Sequence, residues 1–231
     1  MKKILFNNRY GLETAVIERR KTMTRREVKL PDGMKPDDVW NPVMGIDENG
    51  RVYFTVDCVD GKQRDIYPLY QIGEVVAVGQ RYKDVIRIAN RDESVWQFLV
   101  EKGLMQSGGA IDTRLCTHAG YDNKMFARAD FMPHRIRITN IKVERLQDIS
   151  DDDCMKEGIM QGEFMNTWDT FYFDEWGDVP NHITFKTPHA AFASLIDRIN
   201  GRGTWQDNPW VVAYTMDLQR AENFKEQETN K

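Results

Sequence analysis

The 231-residue sequence predicts an α+β fold, a small mixed or antiparallel β-barrel with peripheral helices and insertions. Three observations lead there. Short segments alternate apolar with polar residues and end on turn dipeptides, segments of helical period lie between them, and a 41% hydrophobic, 29% charged composition is enough to bury a core.

In chain order, GLETAVIERR puts Leu12, Ala15, Val16 and Arg19 on one face and predicts a helix over 11–20. TMTRREVKL alternates as a strand does and stops at Pro31, Asp32 and Gly33. Five further segments predict the strands of one curved sheet: RVYFTVDCV between two Gly turns (51–58), EVVAVGQRY (73–79), MFARAD (124–130), RIRITNIKVERL (135–146) and PWVVAYTMDL (210–218). Helices are predicted over 93–103, over 150–157 with Ser150 as N-cap, and over 189–200 before Gly201. This reads as one domain, 1–218, with insertions near 31–68, 84–123 and 160–187 and a polar tail over 219–231.

The start MKKILFNNRY has too short an apolar run for a signal or a span, so the expectation is a cytoplasmic protein with no membrane partner. Cys58, Cys116 and Cys154 are far apart, and His118, His134, His182 and His189 show no ligand spacing, so neither a disulfide framework nor a metal or other cofactor is expected.

Charge is segregated. Met1 to Lys29 holds nine Lys/Arg against three Glu, whereas Gln147 to Pro180 holds ten acids against Lys156 alone, in a chain of net charge -4. The basic pole centres on ERRKTMTRRE, where Arg19, Arg20, Lys21, Arg25 and Arg26 surround Thr22 and Thr24. A local basic face on an acidic protein points to an anion site rather than a surface that coats DNA.

The segment ERRKTMTRR resembles the Gly-x-Lys-x-x-Thr-x-Arg signature of the ASCH domain family, phage and bacterial type, whose fold is PUA-like. YQIGEVVAV, MPHRIRITNIKVERLQDISDDDCMKEGI and FASLIDRINGRGTWQDNPWVVAYTMDL resemble further family segments in the expected order. Two departures stand out: Arg19 replaces the signature glycine, which predicts a backbone that does not freely take positive φ, and Gly79 and Gln80 stand where members often carry Arg-Glu. The resemblance implies binding of RNA or of a modified nucleoside or nucleotide at a basic cleft around Lys21, Thr24 and Arg26, with Arg20, Arg25 and Arg135 as further nucleic-acid contacts.

Some members of that family are amidohydrolases that deacetylate N(4)-acetylcytidine with a Lys, a Thr and a Glu, roles that fall by resemblance on Lys21, Thr24 and Glu157. The residue chemistry is consistent, because neighbouring arginines and partial burial disfavour a protonated lysine, and a free amine can take a threonine proton. Lys21 and Thr24 are three apart, so they act together only if a helix end or turn continues through Thr24. The plain alternative is a solvated or phosphate-contacting cluster, with Glu157 on a solvated acidic helix face. A third class is a ribonuclease with His134 as acid or base. The aromatics Trp168, Phe171, Tyr172, Phe173 and Trp176 lie among acids that repel phosphate, so the expectation for them is burial. Trp205 and Trp210 are read as core anchors.

Overall fold

The computed structural model describes residues 1–30, 33–106, 112–164, 167–175 and 183–219. The elements are β1 (Lys3–Ile4), α1 (Leu12–Ile17), β2 (Met23–Glu27), β3 (Val39–Ile46), β4 (Val52–Cys58), β5 (Gln63–Ile66), β6 (Val75–Val78), α2 (Tyr82–Ala89), α3 (Glu93–Glu101), α4 (Thr113–Thr117), β7 (Arg135–Arg145), α5 (Asp151–Lys156), β8 (Met160–Phe164), β9 (Thr167–Tyr172), α6 (Pro188–Asn200), α7 (Thr204–Asp207) and β10 (Trp210–Gln219). The class is α+β. Trp176, His182 and most of the predicted tail lie outside the described residues.

A five-stranded sheet runs β1-β6-β7-β10-β2, beside a three-stranded sheet β3-β4-β5 and the hairpin β8-β9. β1 pairs with β6 in parallel, whereas β2 with β10, β3 with β4, β4 with β5, β6 with β7 and β8 with β9 pair antiparallel. Among the described residues no sheet closes into a barrel: the large sheet ends on β1, a strand of 2 residues, and on β2. The strand predicted near 51–58 forms, as β4, but belongs to the separate sheet, because β3 and β5 occupy both its edges, with Phe54 opposite Met44 and Ile66.

Residues 124–130, predicted as a strand, form turns. The Lys3 ammonium takes the carbonyls of Lys124, Met125 and Ala127 at 2.9, 2.9 and 2.6 Å, which removes acceptors that a ladder would need. The helix α2 carries no capping side chain at Arg81, so no local start signal marks it in the sequence.

The chain divides into two compact units. Unit 1 comprises Met1–Phe6, Val75–Arg137 and, among the described residues, 217–219; its core gathers Tyr82, Val85, Phe98, Leu99, Leu115 and Met132, so the segment read as an insertion at 84–123 contributes much of that core. Unit 2 comprises Asn7–Glu74 and Ile138–Met216. Within it Phe173 is buried against Tyr10 and Phe185, ring centroids 5.8 and 6.1 Å apart. Trp210, half-buried, packs on Val39, Val56 and Cys58 and donates its indole N–H to the Pro36 and Val39 carbonyls. No described helix is long and apolar enough to cross a membrane.

Candidate active site

Two helix ends in unit 2 build the site. α1 stops at Glu18, and the next residue, Arg19, takes φ 63, with Arg19 N–H donating to Val16 O at 3.0 Å and Arg20 N–H to Ala15 O at 2.8 Å. These are the two bonds of a Schellman cap, whose left-handed position favours glycine. Positive φ at Arg19 corrects the expectation drawn from its side chain: the chain adopts there the conformation that the signature glycine suits, and the hydrogen bonds hold it. Lys21 follows, its N–H on Ala15 O at 2.9 Å.

α5 ends the same way. Glu157 is its C-cap, Gly158 takes φ 104, and Gly158 and Ile159 N–H donate to Met155 and Cys154 carbonyls at 3.0 and 3.3 Å. A Cβ on Gly158 would stand 3.3 Å from Leu12 Cδ2 and 3.7 Å from Lys21 Cβ. The missing side chain therefore lets the two helix ends approach, and Thr22 N–H on Lys156 O at 2.9 Å closes the seam.

Across that seam the Lys21 ammonium donates to Glu157 Oε2 and, at 2.8 Å, to the Glu157 carbonyl. Both side chains are buried. Burial pushes the Lys21 amine below the ordinary lysine value; Glu157 opposes this, and the charges of Arg26 and Arg25 add to it. The other oxygen of the same carboxylate, Oε1, accepts from Arg25 Nη1 at 3.0 Å.

Arg25 is enclosed by carboxylates, its side chain 1% exposed. Nε and Nη2 fork onto Glu144 Oε1 at 2.9 and 2.7 Å, and Nη2 also reaches Asp153 Oδ2 at 3.1 Å. Lys142 joins Asp153 and Glu144 at 2.8 and 3.0 Å, and Lys156 holds the second Asp153 oxygen at 3.0 Å. Asp153 titrates at about 2: burial pushes it up, but hydrogen bonds from Lys142 and Lys156 and the charges of Lys142 and Arg25 outweigh that. Burial also raises the Cys154 thiol to about 12.

The acidic run thus splits by helical face. Asp153 and Glu157, four apart, turn inward, while Asp151 and Asp152 stay exposed, so the solvated-face reading holds for only part of it. Lys142, Glu144 and Asp153 were not read as site residues. Their signal was faint: Lys142 and Glu144 share a strand face two residues apart, which alone names no partner.

Strand β2 divides the remaining residues. It begins at Met23, so Thr24 lies on a strand, and the helix end or turn that joint action with Lys21 requires does not continue through it. Thr24 is buried opposite Tyr214, and Arg26, half-buried, opposite Val212, on the strand face opposite that of Arg25. The Arg26 charge favours ionisation of Tyr70 and Tyr214, though burial dominates and raises both, Tyr214 to about 12. Arg20 is tied to Glu18 at 2.8 Å and lies 3.8 Å from Asp174. Arg135 belongs to unit 1, as does His134, whose Nδ1 lies 2.8 Å from Gln80 Oε1 with both side chains buried.

No family model matches the chain, and comparison with curated proteins and with solved structures gives no match either.

Proposed function

We propose that the chain is a PUA-like, ASCH-type amidohydrolase that removes the acyl group of N(4)-acetylcytidine-type nucleosides. The observation that carries this reading is the buried Lys21 and Glu157 pair, with its amine held below the ordinary lysine value. A cation meant only to collect phosphate gains nothing from burial against a carboxylate, because the desolvation cost is met by the partner and not by a ligand. In the proposed reaction a free Lys21 amine takes a proton from water held by Glu157 as that water attacks the acyl carbon, and Thr24, on the opposite face of β2 from Arg25, is not the nucleophile. The C–N bond breaks, the exocyclic amine leaves with the proton that Lys21 returns, and the acyl group departs as acetate with its remaining proton passing to solvent.

The test is acetate release from the free nucleoside. Lys21→Ala and Glu157→Gln are each expected to lower turnover by at least about a hundredfold, the scale of a positioned proton-transfer group, and Thr24→Val to lower it less. Turnover should rise with pH through a limb below the ordinary lysine value, since the reactive form is the free amine. Inactivity of the purified wild-type protein on N-acylated nucleosides overturns the reading.

A second reading, binding of RNA or nucleotide without chemistry, is favoured by Arg26, which is half-buried beside Thr24 on the face away from the carboxylates. There Arg26→Ala should lower the salt dependence of single-stranded RNA binding by about one unit of slope. Arg25, enclosed as it is, should not act as a phosphate contact in either reading.

A further inference from the structure

We infer that Arg25 is a positioning residue, whose guanidinium fixes the Glu157 carboxylate in the orientation that meets Lys21. Neither the family signature nor the charge pattern gives it this role, and its kinetic consequences rest on the amidohydrolase reading.

Each Glu157 oxygen has its own cation, Oε2 that of Lys21 and Oε1 that of Arg25 at 3.0 Å. Rotation of the carboxylate breaks both contacts together. Arg25 can hold it because it is itself immobile: its Nε and both terminal nitrogens are engaged by Glu144, Asp153 and Glu157, and the Phe192 ring lies 6.0 Å from Cζ. A lysine in its place donates from one nitrogen and cannot reproduce the fork in which Nε and Nη2 meet Glu144 while Nη1 meets Glu157, so the fork is specific to arginine. The outer lysines, Lys142 and Lys156, neutralise Asp153 and Glu144 and leave Arg25 free to share its charge with Glu157.

A permanent cation at this distance has a second effect. It repels the ammonium form of Lys21, an effect shared with Arg26 and opposed by Glu157. Loss of the Arg25 charge therefore shifts Lys21 toward ammonium, so its titration moves to higher pH.

The test follows the Lys21 side chain in protein with 13C-labelled lysine, assigned with Lys21→Arg, by titrating its Cε resonance in wild type and in Arg25→Met. The midpoint is expected to rise in Arg25→Met, and the acid limb of the pH–rate profile to move in the same direction. A lost packing contact alone lowers melting temperature and leaves the midpoint in place, so a folded Arg25→Met with an unmoved midpoint overturns the inference. Should Arg25→Met not fold, Arg25→Lys decides, because it keeps the charge and removes only the fork. Turnover in Arg25→Lys should fall at least about tenfold with KM little changed, as for a group that acts through the geometry of another; wild-type turnover there overturns the proposal. If the wild-type protein has no amidohydrolase activity, the reading of the reaction fails, and the midpoint in Arg25→Met, or in Arg25→Lys where an unchanged value is expected and a shifted one refutes the charge effect, still tests the assignment.

Discussion

The ion pairs around Arg25 and those in the turns of the β3-β4-β5 sheet use the same residue types with opposite consequences. In these turns Arg51 meets Asp47 and Arg64 meets Asp60, each four residues away in sequence, with the arginine side chains 56% and 28% exposed. Around Arg25 the partners come from more than a hundred residues away and exclude solvent. Asp60 and Asp153 both titrate at about 2, yet for different reasons: a hydrogen bond from Arg64 is the largest influence on Asp60, whereas Asp153 must first overcome its own burial. A titration value therefore does not report how much a pair matters to the fold. What matters is how much solvation each charge has lost, since that is what an absent partner leaves uncompensated.

The sharpest way to break the comparison is to remove one buried partner. Glu157→Ala leaves Lys21 and one arm of Arg25 without their carboxylate, and should destabilise the fold by about 3–5 kcal/mol, measured by urea unfolding. Replacing both members, as in Lys21→Met with Glu157→Leu, should recover most of that loss, because two apolar side chains need no compensation. Full additivity of the two changes would show that the pair is not coupled.

Much of this comparison was hidden in the sequence. Helices α1, α3, α5 and α6, the strands at 75–78, 135–145 and 210–219 and the cap at Ser150 follow from local periodicity and local hydrogen bonding, and those were legible. Strand β3 was not, because Asn41, at φ 50, and Pro42 interrupt its alternation with a bulge. For the site, the signature pointed to Lys21, Thr24 and Glu157, but composition presented the basic and acidic stretches as separate poles. The structure packs them together: Lys21 and Arg25 from the basic stretch are neutralised by Asp153 and Glu157 from the acidic one. A count of charge along a chain carries no pairing, and long-range pairing is what removed Arg25 from the set of plausible ligand contacts.

Acid offers a gentler probe. The folded-state value of Asp153 is depressed from 3.8 to about 2, so the native protein releases that proton more readily than the unfolded chain. Its stabilising contribution is then complete above about pH 4 and disappears as the pH falls through about 2. Asp153→Asn should flatten the decline of stability over that interval, measured by chemical denaturation at a series of pH values. An unchanged acid slope would mean that Lys142 and Lys156 do not hold Asp153 in solution.

The smallest effect is expected in the β4–β5 hairpin. Asp60 has the same depressed value of about 2, but its carboxylate and Arg64 remain hydrated at the surface, where the two charges give up little solvation when they meet and little when they part. Immobilising a long arginine side chain also costs entropy that offsets the attraction. Arg64→Ala should therefore leave the urea midpoint at neutral pH unchanged within error, and any difference should vanish in high salt, which screens exposed pairs far more than enclosed ones. Glu157→Ala should keep its full effect in the same salt. A salt-insensitive loss in Arg64→Ala would erase the distinction, since it would require the hairpin pair to be shielded from solvent as the Arg25 cluster is.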